Sequence, residues 1–189
     1  MGAMQIHKTD FEGVYLIDNF FAGDKRGSFT KTYLKETFEE NGIHFSLSET
    51  FASVSQKNVI RGLHFQKVGP QSKLVSVLCG EVWDVVVDLR PDSATYMKYY
   101  SANLSEDNHR GLYIPKGFAH GFASLSDNTV MLYQCEGRYD GPSDSGIRYD
   151  DPQIGVQWPV SEDVAIHSER DLKLPSFKEY LENPMQLGK

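Results

Sequence analysis

Cysteine, positive charge and long apolar runs are all scarce in this sequence. Its 189 residues contain only two cysteines, Cys79 and Cys135, which lie far apart and match no CxxC or Cys/His metal-binding spacing. We therefore interpret both as buried thiols in a reducing compartment. No apolar run is long enough to cross a bilayer, and we find no signal-peptide pattern at the N-terminus. From these absences we expect a cytoplasmic protein.

The shortage of positive charge restricts the possible partners. The chain has 19 Lys and Arg against 26 Asp and Glu, which gives a net charge of -7. Nucleic-acid binding requires clustered Lys and Arg to neutralise phosphates, so this balance argues against a broad nucleic-acid interface. A chain of this length can bury a core without disulfide or metal. We predict one domain over 1–189, in which residues 1–3 resemble an expression remnant before Met4.

Short β-branched and aromatic runs, separated by Gly, Pro, Asn and Asp, fill most of the chain. This pattern is typical of an all-β sandwich or barrel. The clearest predicted hairpin joins strands 74–78 and 82–89 through a tight turn at Gly80. Further strands are predicted at 28–33, 48–55, 111–114, 118–125 and 129–135.

The second strand of that predicted hairpin has two different faces. Because side chains alternate along a strand, its residues divide into an apolar set and a polar set. The polar face should therefore line solvent or a polar barrel interior. The apolar set is Trp83, Val85, Val87 and Leu89, and the polar set is Asp84, Asp88 and Arg90.

Two short helices are predicted outside the strands. The segment 35–41 precedes Gly42, which can occupy the C′ position that closes a helix. Ser176 and Glu179 have the spacing of a capping box, which predicts a helix over 176–183 that ends near Pro184. The expected architecture is an all-β core with short peripheral helices.

Two histidine segments carry side chains suited to acid–base chemistry. In 61–66, Arg61 and His64 lie in a strand-like stretch whose glycine could form a bulge and redirect side chains. This segment could hold a base beside an anion-binding cation, or only a surface histidine. In 115–122, His120 follows a tight turn and is either a site residue or a hydrogen-bonded core histidine.

A tyrosine and an aspartate add two further candidates. Tyr133 shares a strand face with Met131 and Cys135, which predicts a buried ring whose hydroxyl needs a partner. Asp171, in the segment 168–171, could orient an imidazole or could be solvated. None of these segments is specific by itself.

The order of these segments along the chain is specific, and it resembles the dTDP-4-dehydrorhamnose 3,5-epimerase family. The resemblance extends from about Val14 to Pro175. Its first part consists of Asp-x-Arg-Gly-x-Phe at 24–29, Arg-Gly-Leu-His at 61–64, Lys73, the Gly-Glu-Val segment at 80–90 and Pro-x-Gly-Phe-Ala-His-Gly-Phe at 115–122. Its second part consists of Tyr133, Tyr139, Asp-Asp-Pro at 150–152, Trp-Pro at 158–159 and Ser-x-x-Asp at 168–171.

The resemblance implies a fold and an activity. The fold is a double-stranded β-helix barrel of the cupin or jelly-roll type, in a homodimer whose N-terminal strands are exchanged. The activity is epimerisation of a nucleotide-linked 4-keto sugar, without metal or organic cofactor. A proton α to the ketone is removed and then returned to the opposite face of the sugar.

The resemblance also implies roles for individual residues. His64 is the base, oriented by Asp171, and Tyr133 is the acid on the other face of the sugar. Lys73 and His120 would contact the sugar around its keto group. The remaining substrate-binding candidates are Arg61 and the partner subunit's Arg26 at the pyrophosphate, Tyr139 at the sugar, and Phe29, Lys31, Glu49, Phe51, Asp144 and Arg170.

Two departures from the family pattern leave the substrate open. Lys31 stands where the family usually has a Glu that helps to hold the thymine base, and an ammonium group can only donate hydrogen bonds. Glu49 and Phe51 replace the Gln and Asn of a Gln-x-Asn pattern. A carrier nucleotide such as CDP or GDP, a different sugar, or epimerisation at carbon 3 alone would each fit these changes.

Three other functions compete with this interpretation. A metal-dependent cupin could use His64 and His120 as ligands, although the chain lacks the usual His-x-His cluster. A non-catalytic sugar-nucleotide-binding cupin would not need both an acid and a base. A nucleotide-sugar 3,4-ketoisomerase could share the barrel, but the His, Asp and Tyr set favours the epimerase.

Overall fold

The computed structural model describes residues 3–187, which form two antiparallel sheets and a separate hairpin. The strands are β1 Gln5–Lys8, β2 Tyr15–Asp18, β3 Phe20–Asp24, β4 Gly27–Lys31, β5 Glu49–Ser55, β6 Ile60–Gln66, β7 Ser72–Cys79, β8 Glu81–Asp88, β9 Tyr99–Ser105, β10 Arg110–Ile114, β11 Phe118–Ser124, β12 Thr129–Glu136 and β13 Asp144–Gly146. The first sheet has the strand order β1-β2-β10-β7-β12-β5 and the second β13-β6-β11-β8-β9.

The apolar inner faces of the two sheets meet in one core. Val75 and Leu112 from the first sheet pack in the same buried cluster as Val82, Val86 and Phe122 from the second. The two facing sheets confirm the predicted jelly-roll barrel of the cupin type. The β3–β4 hairpin forms a two-stranded sheet outside this core.

The predicted hairpin around Gly80 is wrong, because β7 and β8 belong to different sheets. β7 pairs with β10 and β12, whereas β8 pairs with β9 and β11. Gly80 does make the expected turn, with a φ of +79° that favours glycine. The turn carries the chain from one sheet to the other. A tight turn is a local signal, but strand pairing is decided by partners that are distant in sequence.

The polar face of β8 points into the barrel and not to solvent, which were the two alternatives predicted for it. Asp84 is fully buried on the same side of the strand as the core residues Val82 and Val86. On the other side, Val85 and Val87 pack in a second cluster with residues near the C-terminus. Both sides of β8 are therefore covered.

The two predicted helices are present. Helix α1 spans Lys35–Glu40, and Gly42 has the positive φ of +75° expected after its end. Helix α2 spans Phe177–Tyr180 and begins with the predicted capping box of Ser176 and Glu179. It ends before residue 183 because the chain continues in tighter turns, such as the Asn183 N–H bond to the Tyr180 carbonyl.

Other predictions need correction or lie partly outside the described residues. Cys135 is buried, but Cys79 is exposed, because it lies at the end of β7 beside the Gly80 turn. Of the predicted remnant, residues 1 and 2 are outside the described range. The strands β1, β2, β3, β9 and β13 were not predicted. Between residues 3 and 187, no helix combines the length and apolar character needed to span a membrane.

Candidate active site

An open cavity of about 270 Å³ is lined by residues of both sheets. Its walls come from β5, β7 and β12 on one side and from β6 and β11 on the other. Because side chains alternate along each strand, every second residue of a strand can face the cavity. The predicted site residues in its lining are Glu49, Phe51, Arg61, His64, Lys73, His120, Tyr133, Tyr139, Asp144 and Arg170.

A β-bulge in β6 positions His64 in this lining. Arg61 lies opposite Phe122 and His64 opposite His120, so β6 has one more residue than β11 between these pairs. Gly62, inside the bulge, has a φ of +125°, and a Cβ there would lie 2.6 Å from a Cα of β11. The bulge therefore requires glycine at position 62. This confirms the bulge predicted from the sequence.

His64 and Asp171 form a hydrogen-bonded pair. His64 Nε2 lies 2.7 Å from Asp171 Oδ1, and the Gly62 N–H donates to Asp171 Oδ2 at 3.3 Å. The Asp171 N–H in turn donates to Ser168 Oγ at 3.0 Å. Burial by itself raises the pKa of Asp171, but the hydrogen bond and charge of His64 hold it below its ordinary value. The charged Asp171 carboxylate thus fixes the orientation of the His64 ring and leaves its Nδ1 available to exchange a proton with a ligand.

His120 and Asp84 form a second, more deeply buried pair. His120 Nε2 lies 2.8 Å from Asp84 Oδ2, and both residues are almost inaccessible to solvent. Burial raises the pKa of Asp84, and the charges of His120 and Lys73 oppose this shift. The sequence left open whether His120 is a site residue or a hydrogen-bonded core histidine. Both descriptions apply, because the residue is buried and also lines the cavity. Within residues 3–187, no group of three His, Cys, Asp or Glu side chains is arranged to hold a metal ion.

Lys73 lies deep in the cavity. Burial lowers the pKa of its ammonium group, while nearby acidic groups that include Asp144, Asp84 and Glu49 oppose the shift. The Glu49 carboxylate is held in place by Gln71, whose Nε2 donates to Glu49 Oε1 at 2.8 Å. Lys73 can therefore place a cation next to a ligand in a poorly solvated site.

Tyr133 lies in the opposite wall from His64, on β12. The residue is 8% exposed, and its ring stacks on the Phe51 ring at 4.7 Å, with 12° between the ring planes. The His120 ring meets it edge-on at 6.0 Å. Burial, followed by the charge of Asp84, raises the pKa of the Tyr133 phenol. The phenol is therefore protonated at neutral pH and can act as a proton donor.

A cluster of polar residues forms part of the cavity rim. The Tyr139 hydroxyl donates to Asp144 Oδ2 at 3.2 Å, and the Arg170 guanidinium lies 2.8 Å from the same oxygen. The negative charge of Asp144 raises the pKa of Tyr139. Arg61 donates from Nε to Ser55 Oγ at 3.1 Å. The rim thus contains two guanidinium groups that could contact an anionic ligand.

Three predicted substrate-binding residues do not line the cavity of their own chain. Arg26, Phe29 and Lys31 belong to the β3–β4 hairpin, outside the barrel core. Arg26 is paired with Asp24 at 2.6 Å, and Phe29 is 58% exposed. The Lys31 Nζ lies 5.7 Å from the centre of the Phe20 ring.

Three polar lining residues were not among the predicted site residues. Each lies two positions from a predicted site residue, so the period of a strand would have identified it. These residues are Ser53, two after Phe51; Gln66, two after His64; and Gln71, two before Lys73.

Known proteins with similar sequences and structures agree on one family. Residues 8–179 match the family model described as dTDP-4-dehydrorhamnose 3,5-epimerase. The enzyme of that name from Methanothermobacter thermautotrophicus is 42% identical over 188 residues, which cover 99% of this chain and 100% of that protein.

Two solved structures show the same likeness. The crystal structure of dTDP-4-dehydrorhamnose 3,5-epimerase from Elizabethkingia anophelis has a TM-score of 0.88 at 39% identity, covering 96% of this chain and 99% of that one. The dTDP-6-deoxy-D-glucose-3,5-epimerase of Legionella pneumophila, in complex with dTDP-4-keto-L-rhamnose, has a TM-score of 0.88 at 39% identity, with coverages of 93% and 94%.

Proposed function

Because this chain belongs to the dTDP-4-dehydrorhamnose 3,5-epimerase family, we propose that the two walls of its cavity divide the proton transfers of a 4-keto sugar epimerase. The substrate is a nucleotide-linked 4-keto-6-deoxy sugar, inverted at carbon 3, carbon 5 or both. One observation supports this division: His64 and Tyr133 line the same cavity from strands of opposite sheets. A sugar ring between them presents one face to each side chain.

His64 is the base in this mechanism. Its Nδ1 takes the proton from the carbon next to the ketone, and Asp171 stabilises the resulting imidazolium through Nε2. Tyr133 then gives its phenolic proton to the planar carbon from the other side. The electron pair of the broken C–H bond rests on the keto oxygen between these two steps. No redox change occurs, because one proton leaves and another returns.

Lys73 and His120 stabilise the enolate. A proton next to a ketone is too weak an acid for a neutral imidazole unless the developing oxyanion is stabilised. Lys73 offers a poorly solvated cation for this purpose, and His120 offers a ring held by Asp84. Burial lowers the pKa of Lys73, and its acidic neighbours oppose this shift and favour the charged form.

The β3–β4 hairpin supports a further proposal, a homodimer with shared sites. The Arg26 side chain is 85% exposed and Phe29 is 58% exposed, so both are available to a neighbouring subunit. An Arg26→Ala chain mixed with a His64→Ala chain should regain activity, because one site of the hybrid has both native residues. A fully active monomer in sedimentation experiments would refute the shared site.

Deuterium incorporation tests the proposed function. The protein is incubated in deuterated water with dTDP-, CDP- and GDP-linked 4-keto-6-deoxy sugars, and the exchanged positions are counted by mass spectrometry. His64→Ala should lose most of the exchange and keep its melting temperature. Near-normal exchange in that variant would refute the role of His64 as the base.

The names of the relatives favour dTDP as the carrier nucleotide. Lys31 is the residue that argues for another base. If it faces the nucleotide, Lys31→Glu should strengthen dTDP binding and weaken the binding of CDP or GDP in calorimetry. Equal affinities of wild type and Lys31→Glu for all three nucleotides would show that Lys31 does not contact the base.

A further inference from the structure

Ser53 is a lining residue to which the mechanism above assigns no role. Its side chain faces the cavity from β5, the strand that pairs with β12. Its hydroxyl oxygen is buried, and within residues 3–187 no partner meets it at the distance and angle of a full hydrogen bond. A buried hydroxyl without a partner costs free energy, so an unused donor at an active site suggests a role during the reaction.

The strand register places Ser53 beside the phenol of Tyr133. Phe51 lies directly opposite Tyr133 and Ser53 directly opposite Met131, all on the inward face. Ser53 is therefore the diagonal neighbour of Tyr133, a position within reach of an aromatic side chain. Burial has the largest effect on the pKa of Tyr133 and raises it, whereas hydrogen bonding from the nearby Ser53 hydroxyl lowers it.

The phenol needs such a neighbour once it has given up its proton. The phenolate left behind is buried, and the negative charge of Asp84 destabilises it further. Arg61 is the cation that opposes this effect, but its guanidinium already donates to Ser55 Oγ and to the Val54 carbonyl. Ser53 has a hydroxyl hydrogen without such a commitment among the described residues.

We propose that Ser53 is a positioning residue that donates a hydrogen bond to the Tyr133 oxygen as the phenol transfers its proton to the enolate. The phenolic proton moves to carbon, the O–H electron pair stays on the Tyr133 oxygen, and the Ser53 proton remains on Ser53. Tyr133 later recovers a proton from solvent, while the imidazolium of His64 releases one. This inference rests on the proposed role of Tyr133 as the acid.

The fate of the enolate provides the test. An enolate that is not protonated by Tyr133 can take a deuteron back from His64 and reform the starting sugar with unchanged configuration. In deuterated water, with dTDP-4-keto-6-deoxyglucose as substrate, we measure deuterium in recovered starting material and in inverted product. The ratio of exchange to inversion reports the Tyr133 step separately from the total activity.

Ser53→Ala should raise this ratio at least about tenfold, because a hydrogen bond to a charged oxygen is stronger than one between neutral groups. Ser53→Thr, which keeps the hydroxyl and suits a strand, should restore it towards the wild-type ratio. If Ser53→Ala does not fold, Ser53→Cys supplies a poorer donor of similar shape and should raise the ratio in the same direction.

A matched control lies on the same strand. Thr50 donates from its hydroxyl to the Tyr133 carbonyl at 2.9 Å, on the other face of β5. Thr50→Val weakens the pairing of β5 with β12 but keeps the Ser53 hydroxyl. Its ratio of exchange to inversion should stay at the wild-type value, which separates the proposed effect from a loosened β5.

Tyr133→Phe separates failure of this inference from failure of the proposed function. If Tyr133→Phe exchanges without inverting and Ser53→Ala behaves like wild type, the Ser53 role is refuted and the Tyr133 role stands. If Tyr133→Phe inverts normally, the proposed acid is wrong and the Ser53 role is refuted with it. An unchanged ratio in both Ser53→Ala and Ser53→Cys would also overturn the inference.

Discussion

Two carboxylates on one strand show how differently this barrel treats buried charge. Asp84 and Asp88 lie four residues apart on the same side of β8, and both are fully buried. Asp88 accepts hydrogen bonds from the backbone and guanidinium of Arg90 and from the hydroxyls of Ser93 and Thr95. Asp84 is hydrogen-bonded to His120 alone among residues 3–187, and its Oδ1 has no partner there.

The difference in partners reverses the effect of burial. Burial raises the pKa of both groups, but at Asp88 the hydrogen bonds from Arg90, Ser93 and Thr95 outweigh it and lower the pKa. At Asp84, the charges of His120 and Lys73 are insufficient, and the pKa is raised. A fully satisfied carboxylate contributes stability, whereas a partly satisfied one costs stability, so we expect Asp84 to act through its effect on His120 and Lys73.

Removing Asp88 should produce the largest change. Asp88→Ala leaves the Arg90 guanidinium without its partner, and breaking such a buried pair typically costs about 3–5 kcal/mol of stability. Urea unfolding should show this loss, while turnover per folded molecule stays near wild type. Asp92→Ala, an exposed carboxylate of the same loop, is the matched control and should leave the unfolding midpoint unchanged. A loss below about 1 kcal/mol in Asp88→Ala would contradict the structural role of this network.

Asp84→Asn should show the opposite pattern, a loss of activity at nearly constant stability. The variant keeps the shape of the side chain but removes the charge behind His120, so we expect turnover to fall about ten- to a hundredfold, or about 1.4–2.7 kcal/mol. Stability should stay within about 1 kcal/mol of wild type, because a partly paired buried charge costs solvation. Paired measurements on Asp88→Asn complete the comparison. Normal turnover with strong destabilisation would make Asp84 a structural residue.

The pH dependence of stability should separate the two carboxylates by sign. Asp88 has a lowered pKa, so its contribution is present above the unfolded value of about 3.9 and is lost as the pH falls through the folded pKa. Asp84 has a raised pKa, so its ionisation destabilises the folded protein. This cost is relieved as the pH falls through the pKa of Asp84 in the folded state.

Urea unfolding between about pH 3 and pH 7 can detect these opposite slopes of stability against pH. We expect both to be smaller effects than the lost stability of Asp88→Ala and the lost turnover of Asp84→Asn. As the pH falls, wild type should lose its advantage over Asp88→Asn and gain stability relative to Asp84→Asn. Two differences that change in the same direction would show that the carboxylates are not distinguished by their partners.

Asp24→Ala should give the smallest change in stability, and its comparison with Asp88→Ala shows what burial contributes to such an ion pair. Asp24 and Arg26 repeat the local geometry of Asp88 and Arg90, with bonds from the arginine N–H, Nε and guanidinium nitrogen to one carboxylate. This pair is exposed to solvent, where an ion pair contributes little to stability. Asp24→Ala should leave the urea midpoint unchanged, with Asp88→Ala as its buried counterpart. A clear destabilisation would indicate that the Asp24–Arg26 pair becomes buried in the proposed homodimer.

The contrast also shows what the sequence alone can predict. The helix end at Gly42 and the capping box at Ser176 depend on residues within one turn, and both were predicted correctly. The bulge at Gly62 and the buried ring of Tyr133 also follow from short patterns. Local chemistry determines these features, so a single sequence is sufficient.

Features that depend on distant partners were harder to predict. The Gly80 turn was located, but the sheet that β8 joins depends on β9 and β11. Asp84 was placed on the polar face of β8, yet its partner His120 lies 36 residues away. The Asp-x-Arg pairs at Asp24 and Asp88 look alike in sequence, and only the fold buries one of them. Burial and strand pairing therefore set the limit of prediction.

The position of β5 at the end of its sheet has a consequence for heat resistance. Within residues 3–187, β5 pairs as a strand with β12 alone, whereas β7 and β12 each have two neighbouring strands. Terminal strands open by local fluctuation at a lower cost than central ones. Opening β5 would remove Phe51 and Ser53 from Tyr133 while the core remained folded. Thermal inactivation should therefore precede the melting of the barrel, and stiffening β5 should protect activity more than it raises the melting temperature.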